Sequence, residues 1–120
     1  AYSGPGQVLE HGLDRAPGGM GRLLEFLGFA CGGGNDEVGM MMKVVARLKD
    51  KNWQKADVVF VSDGEWPVPA TLVAAVKCAC KEGVRFHGVQ IGNSGRSGLH
   101  AVCDPVHIFQ DWATAGGWAC

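Results

Sequence analysis

Ten consecutive residues decide the fold class of this chain: Ala56-Asp57-Val58-Val59-Phe60-Val61-Ser62-Asp63-Gly64-Glu65. The apolar and mostly β-branched residues 58–61 run directly into an acidic turn, which is typical of a buried strand. A strand that is apolar on both faces belongs in the middle of a parallel sheet that helices cover on both sides. We therefore expect Val59 and Val61 to be nearly inaccessible to solvent. Such sheets bind ligands beyond the carboxyl ends of their strands, where Asp63 lies.

The acidic turn at Asp63 has two interpretations. An Asp-Gly pair after a strand is an ordinary turn, in which Gly64 adopts a positive φ and Asp63 accepts a hydrogen bond from a backbone amide. A second acidic turn, Gly-Gly-Gly-Asn-Asp at 32–36, also lies at an element boundary. Two such loops at one edge of a sheet can converge on one ion. We therefore predict that the side chains of Asn35 and Asp63 lie at the same sheet edge.

The composition indicates one small globular domain with enough apolar residues for a packed core. The chain has 120 residues, of which 47% are hydrophobic, and its formal net charge is −1. Its Lys and Arg residues are scattered, which excludes the broad basic face of a nucleic-acid-binding protein. The apolar runs are too short to span a bilayer, and the first residues do not resemble a secretory leader. We predict an intracellular protein that is not secreted and has no nucleic-acid or membrane partner.

The cysteines predict reduced thiols and not a disulfide framework, because their number is odd and their spacing irregular. The five are Cys31, Cys78, Cys80, Cys103 and Cys120. Side chains two positions apart on a helix point about 200° apart around its axis. Cys78 and Cys80 therefore cannot bind one metal ion together. We expect them to pack in the core.

The apolar periodicity predicts strands that alternate with helices. Helices are expected at 22–27, 37–51, 70–82 and 99–103, and strands at 57–62, 85–91 and 106–109, with a weaker strand at 7–13. This alternation predicts an α/β fold: a doubly wound, Rossmann-like, mainly parallel sheet with helices on both faces, in a single domain over 1–120. Only three or four strands are visible, about half of a full doubly wound sheet. We therefore expect the chain to lack the first strand or strands of the fold.

Several motifs follow one another in a fixed order along the chain. They are Gly33-Gly34-Asn35-Asp36, Trp53, the segment 56–65, and Arg85-Phe86-His87-Gly88-Val89. In this order they resemble the C-terminal part of von Willebrand factor A (VWA) domains, over Tyr2 to Trp112. The most similar subgroup is intracellular: the ViaA-like and CoxE-like proteins that accompany MoxR-type AAA+ ATPases. There a Ser-Gly-Pro-Gly turn, a Gly-Gly-Thr-Asp loop and an Arg-Phe-His strand occur in the same order.

The resemblance implies a metal-ion-dependent adhesion site (MIDAS) for Mg²⁺, built in the family from an Asp-x-Ser-x-Ser loop, a Thr and an Asp. Asp63 matches the Asp of the third loop, Asn35 stands in the place of the Thr, and Asp36 follows it. The Asp-x-Ser-x-Ser loop occurs nowhere in this sequence, and in the family it lies upstream, on the first strand. Mg²⁺ requires near-octahedral oxygen coordination. We therefore expect a degenerate metal site and weak or absent Mg²⁺ binding by this chain.

The function that the resemblance implies is a non-enzymatic protein–protein interaction module, an adaptor for a MoxR-type AAA+ ATPase. A homodimer through an exposed sheet edge is a further expectation, because the helices are too few to cover both faces.

Two other function classes are open to the sequence. The loop from Gly92 to Gly98 leaves a strand and enters a helix, where backbone amides can hold an anion, so a small-molecule or phosphate-binding α/β domain is the alternative. A hydrolase is the other class. Ser62 lacks the flanking glycines of a nucleophile elbow, and the spacing of the histidines nominates no general base. We therefore expect no catalytic residues.

Overall fold

The computed structural model describes residues 8–12, 15–27, 36–50, 52–53, 55–92, 95 and 97–110. The chain divides into two compact units, Ala1–Met40 and Met41–Cys120. Seven elements follow one another: α1 (Gly19–Leu27), α2 (Glu37–Arg47), β1 (Val58–Ser62), α3 (Ala70–Lys81), β2 (Phe86–Ile91), α4 (Leu99–Val102) and β3 (Val106–Phe109). The helices and strands expected beyond residue 15 are thus confirmed, with ends that differ by a few residues. Of the weaker strand expected at 7–13, the described residues show a single bridge at Val8.

The first unit contains α1 and the first turn of α2. Met20 and Leu24 lie four positions apart on α1, hence on one side of the helix, and both are exposed. The ring of Phe26 stacks on that of His11 with 5.1 Å between centroids. At the start of α2, the Gly39 amide donates to Asp36 Oδ1 at 3.0 Å. Asp36 is therefore an N-cap residue that satisfies one of the free amides of the first turn.

The second unit is built on a parallel sheet of three strands in the order β1-β2-β3. Val58 pairs with Phe86 at the start of β1, and Gly88 pairs with Val106 at the start of β3. The sheet confirms the α/β class and the predicted parallel arrangement. Among the described strands, β2 is central and β1 has a neighbour on one side only.

One face of this sheet is mostly buried, although Ile108 on it is 43% exposed, and the other face is partly exposed. The buried face includes Phe60, Ser62, Phe86, Gly88 and Gln90. We call the opposite side the open face. By register and alternation its members are Val59, Val61, His87, Val89, Ile91, His107 and Phe109.

The prediction that Val59 and Val61 are inaccessible is wrong. Val59 is 63% exposed and Val61 is 51% exposed, whereas Phe60 between them is 4% exposed. The reason is that β1 is the outer strand of the described sheet and buries alternate side chains only. An apolar run is therefore not sufficient evidence for burial on both faces.

The helices of the second unit bury apolar stripes. Leu72, Val76 and Ala79 of α3 are buried, and α4 contacts both α3 and β2. Beyond α3, Gly83 has φ +98°, and the Val84 amide donates to the Ala79 carbonyl, as in a Schellman motif.

One expectation about a helix face is wrong. Cys78 and Cys80 are exposed and not in the core, because the buried stripe of α3 runs through Ala79 between them. On α2, Met41, Val45 and Leu48 are buried, but Met42 is 43% exposed because it lies one position off that stripe. No helix in the described part of the chain is long and apolar enough to cross a membrane.

Candidate binding site at the carboxyl end of β1

The acidic turn begins where β1 ends. Ser62 is buried, and its Oγ accepts a hydrogen bond from the Gly64 amide at 3.1 Å. Asp63 is exposed; its Oδ1 accepts from the Glu65 amide at 3.1 Å and lies 3.5 Å from Ser62 Oγ. Gly64 has φ +82°. The interpretation of this segment as a side-chain-capped Asp-Gly turn is thus confirmed.

This turn packs closely against the loop that follows β2. The Gly64 carbonyl accepts hydrogen bonds from the amides of Trp66 and Gly98, both at 3.0 Å. A Cβ at Gly64 would overlap the side chain of Ser97, and a Cβ at Gly98 would lie 2.7 Å from the Trp66 carbonyl oxygen. Two glycines therefore allow the loops to approach, and the contact fixes the position of Asp63 at the sheet edge.

Trp66, which follows the turn, packs its ring against β1. Its ring meets that of Phe60 edge-on, with 5.9 Å between centroids and an 84° interplanar angle. The ring is buried, and no described residue accepts a hydrogen bond from its Nε1. Since a buried donor without a partner costs free energy, the ring is held there by packing and not by a polar contact.

Asn35 lies outside the described residues, so its juxtaposition with Asp63 stays a prediction. Asp36 is described, and one of its carboxylate oxygens is engaged in capping α2. A Cβ at Gly39 would overlap this carboxylate, so the glycine makes room for the cap.

The described residues do not by themselves fit an Mg²⁺ site. Ser62 and Asp63 provide a hydroxyl and a carboxylate, and both already accept backbone hydrogen bonds. Within the described ranges no group of three or more His, Cys, Asp or Glu side chains is placed to hold a metal ion. A near-octahedral shell needs more protein or water oxygens than this turn supplies.

Three backbone amides of the loop from Gly92 to Gly98 donate hydrogen bonds within the protein. Gly92 donates to the Phe109 carbonyl at 2.8 Å, and Gly98 donates to Gly64. The Ser97 amide donates to His100 Nδ1 at 3.3 Å, and Gln90 Nε2 donates to the Gly95 carbonyl at 3.3 Å. The amides of Gly92, Ser97 and Gly98 are thus engaged, which argues against a phosphate cradle built from them. Residues 93, 94 and 96 lie outside the described residues.

A Ser-His pair was missed by the sequence reasoning. Ser97 Oγ lies 3.2 Å from His100 Nδ1, and the same ring nitrogen accepts from the Ser97 amide. The two residues are three positions apart where the chain enters α4, so the contact is local to this turn. In the described part of the chain no carboxylate is hydrogen-bonded to this ring, so the orienting group of a catalytic triad is not supplied there.

A second contact that sequence reasoning missed joins the starts of β1 and β2. Arg85 donates to Asp57 through two nitrogens, Nε at 3.2 Å and Nη2 at 2.9 Å. These hydrogen bonds, with the guanidinium charge, hold the pKa of the exposed Asp57 carboxyl below its usual range. The pair is exposed and joins the residues that precede β1 and β2, at the end of the strands opposite to the acidic turn.

Comparisons with known proteins show a distant similarity. No protein-family model matches the chain, and no solved structure matches it. The chain is 26% identical over 96 residues to the regulatory protein ViaA of Photorhabdus laumondii subsp. laumondii. The match covers 78% of this chain and 20% of that protein, so the chain spans about a fifth of its relative's length. This similarity agrees with the ViaA-like motifs, whereas the VWA assignment itself stays a prediction.

Proposed function

We propose that this chain is a non-enzymatic protein-interaction module with a regulatory role. The observation that carries the proposal is the open face, whose apolar side chains Val59, Val61 and Ile91 are 46–63% exposed. Contiguous apolar surface on a sheet is characteristic of a binding surface. The similar ViaA protein is named a regulatory protein, which supports the same role.

The acidic turn gives the proposed surface a polar end. Asp63 and Glu65 are exposed and lie two and four positions after Val61 on the chain. An apolar surface with carboxylates at one end matches a partner that presents apolar side chains next to a basic group. The partner would be oriented by the charges and bound through apolar contact.

We propose a MoxR-type AAA+ ATPase as the partner, on the basis of the ViaA-like motif order. Mg²⁺ is a weak ligand in this proposal, because the described oxygens of the turn are too few for its shell. Binding to the ATPase is therefore expected without a bound metal ion. When Mg²⁺ is titrated into the protein in a calorimeter, the native chain and Asp63→Asn should both show weak or no binding. Tight Mg²⁺ binding by the native chain that Asp63→Asn abolishes would contradict this expectation.

The decisive experiment measures the affinity of this chain for a purified MoxR-type ATPase. Val61→Lys places a charge on the open face and should weaken binding at least about tenfold, since a buried unpaired charge is costly at an interface. Thr71→Lys, at an exposed position of α3, is the matched control and should bind like the native chain. The proposal fails if the native chain does not bind, or if Val61→Lys binds as tightly as Thr71→Lys.

A further inference from the structure

A cavity of about 480 Å³ lies between α3, the residues that lead into β2, and α4. Its floor is apolar, and its polar lining consists of Lys77, Cys80, Arg85, His100, Cys103 and Asp104. It is separate from the acidic turn and from the open face. Two of its lining residues are cysteines that come from different elements.

The two thiols differ in accessibility. Cys80, on α3, is exposed, whereas Cys103, directly after α4, is 7% exposed. Cys103 lies against the sheet, since a Cβ at Gly88 would be 3.2 Å from the Cys103 Cβ. Both thiols are free. Cys78 is also exposed and free but does not line the cavity, because it points to another side of α3.

Burial, and secondly the charge of Cys80, raise the pKa of the Cys103 thiol to about 11. Both cysteines line this cavity. At neutral pH only about one Cys103 thiol in ten thousand is then ionised. Because the thiolate is the attacking species, Cys80 reacts first with an external disulfide and Cys103 reacts second.

The charges around the cavity favour an anionic reagent. Lys77 and His100 carry basic groups, as does Arg85, whose guanidinium is already paired with Asp57, and the cavity itself is lined by the single carboxylate of Asp104. Glutathione disulfide is small and bears several carboxylates, so the basic side chains attract it to the cavity.

We propose that this cavity is a site of thiol–disulfide exchange with anionic disulfides of the glutathione class, in which Cys80 reacts first and Cys103 closes an intramolecular disulfide. The Cys80 thiolate attacks one sulfur of glutathione disulfide; the S–S bond breaks, and one glutathione thiolate leaves. The Cys103 thiolate, after losing its proton to solvent, attacks the Cys80 sulfur, and the second glutathione thiolate leaves. Two protein thiols are thereby oxidised, and one glutathione disulfide is reduced to two glutathione molecules.

The test uses the full chain with Cys31→Ser and Cys120→Ser, incubated with glutathione disulfide and mapped by peptide mass spectrometry. We expect a glutathionyl group on Cys80 at least about tenfold faster than on Cys78, followed by a Cys80–Cys103 disulfide. The second step should be about tenfold faster for each unit of pH between 7 and 10, because the ionised fraction of Cys103 rises in that proportion.

Variants separate the two steps. Cys103→Ala should retain the glutathionyl group on Cys80, and Cys78→Ala, the matched control on the same helix, should behave like the parent chain. Lys77→Gln should slow the first step with glutathione disulfide but not with neutral 2-hydroxyethyl disulfide. Equal modification of Cys78 and Cys80 would overturn the proposed site. Modification of Cys80 without closure onto Cys103 in the parent chain would overturn the proposed pair.

Discussion

At the scale of single residues, Gly64 determines how the acidic turn is held. Its φ is +82°, a conformation that L side chains rarely adopt, and its Cα faces the Ser97 side chain. Gly83, after α3, also has a positive φ, +98°, but nothing lies within 4 Å of the place where its Cβ would be. Both positions therefore require a residue that tolerates a positive φ, but only at Gly64 does a neighbouring side chain also leave no space for a Cβ.

We expect Gly64→Ala to lower the free energy of unfolding more than Gly83→Ala does. The backbone strain costs about 1–3 kcal/mol at either position. Overlap with Ser97 adds roughly 1–3 kcal/mol at Gly64 alone, because packed loops must move apart. Urea unfolding of the two variants and the native chain measures the cost of the backbone strain in Gly83→Ala, and the cost of strain and overlap together in Gly64→Ala. Equal losses in the two variants would show that Ser97 does not constrain the turn.

At the scale of the elements, β1 shows what the sequence could predict and what it could not. The β-branched run at 58–61 and the following Asp-Gly pair suffice to predict a strand and a capped turn, because both depend on neighbouring residues. Which face of β1 is covered depends on the strands beside it and the helices above it, so the exposure of Val59 and Val61 was not predictable from the run itself.

Contacts across the sheet also could not be predicted from local sequence. Asp57 and Arg85 are 28 positions apart and meet only because Val58 pairs with Phe86. Likewise, the hydrogen bond from the Gly98 amide to the Gly64 carbonyl joins two loops whose approach no local pattern specifies. The position of Asp63 after a strand was predictable from sequence, since its strand and its turn are locally encoded, whereas its role as a ligand stays a prediction.

Substitutions at neighbouring positions of β1 should have opposite consequences. Phe60→Ala removes a ring that is 4% exposed and contacts Trp66, so it should lower the free energy of unfolding by about 3–5 kcal/mol. Val61→Thr, on the open face, keeps β-branching and should change it by less than about 1 kcal/mol. Chemical unfolding followed by circular dichroism compares them. A large loss for Val61→Thr would mean that the open face is covered in the folded chain.

At the scale of the whole molecule, Cys103 makes stability depend on alkaline pH. Its thiol has a pKa of about 11 in the folded chain against an ordinary value of 9.0. Below pH 9 the thiol is protonated in both states, and its full contribution to stability is present. As the pH rises towards 11 the unfolded chain loses this proton first, so the folded state loses roughly 2 kcal/mol relative to the unfolded state.

We therefore expect the free energy of unfolding to fall more steeply between pH 9 and 11 in the native chain than in Cys103→Ala. Both are measured in urea with a reducing agent that keeps the cysteines as thiols. Other alkaline titrations are common to the two chains, so only the difference between their slopes reports on Cys103. If the free energy of unfolding fell with the same slope in both chains, the raised pKa of the Cys103 thiol would be contradicted.

The open face has a consequence for assembly. Within the described sheet β1 pairs with β2 only, and Val59 and Val61 on this strand are more than half exposed. An edge strand with an apolar face favours association between copies, because both its backbone groups and its side chains gain partners.

We expect sedimentation equilibrium to show association that increases with protein concentration. The double substitution Val59→Lys and Val61→Lys should give a monomer at the same concentrations, since like charges on facing copies repel and lysine protects outer strands. Thr71→Lys, which adds a positive charge on α3, should associate like the native chain. A native chain that stays monomeric throughout, or a double variant that associates equally, would rule out this face as a contact between copies.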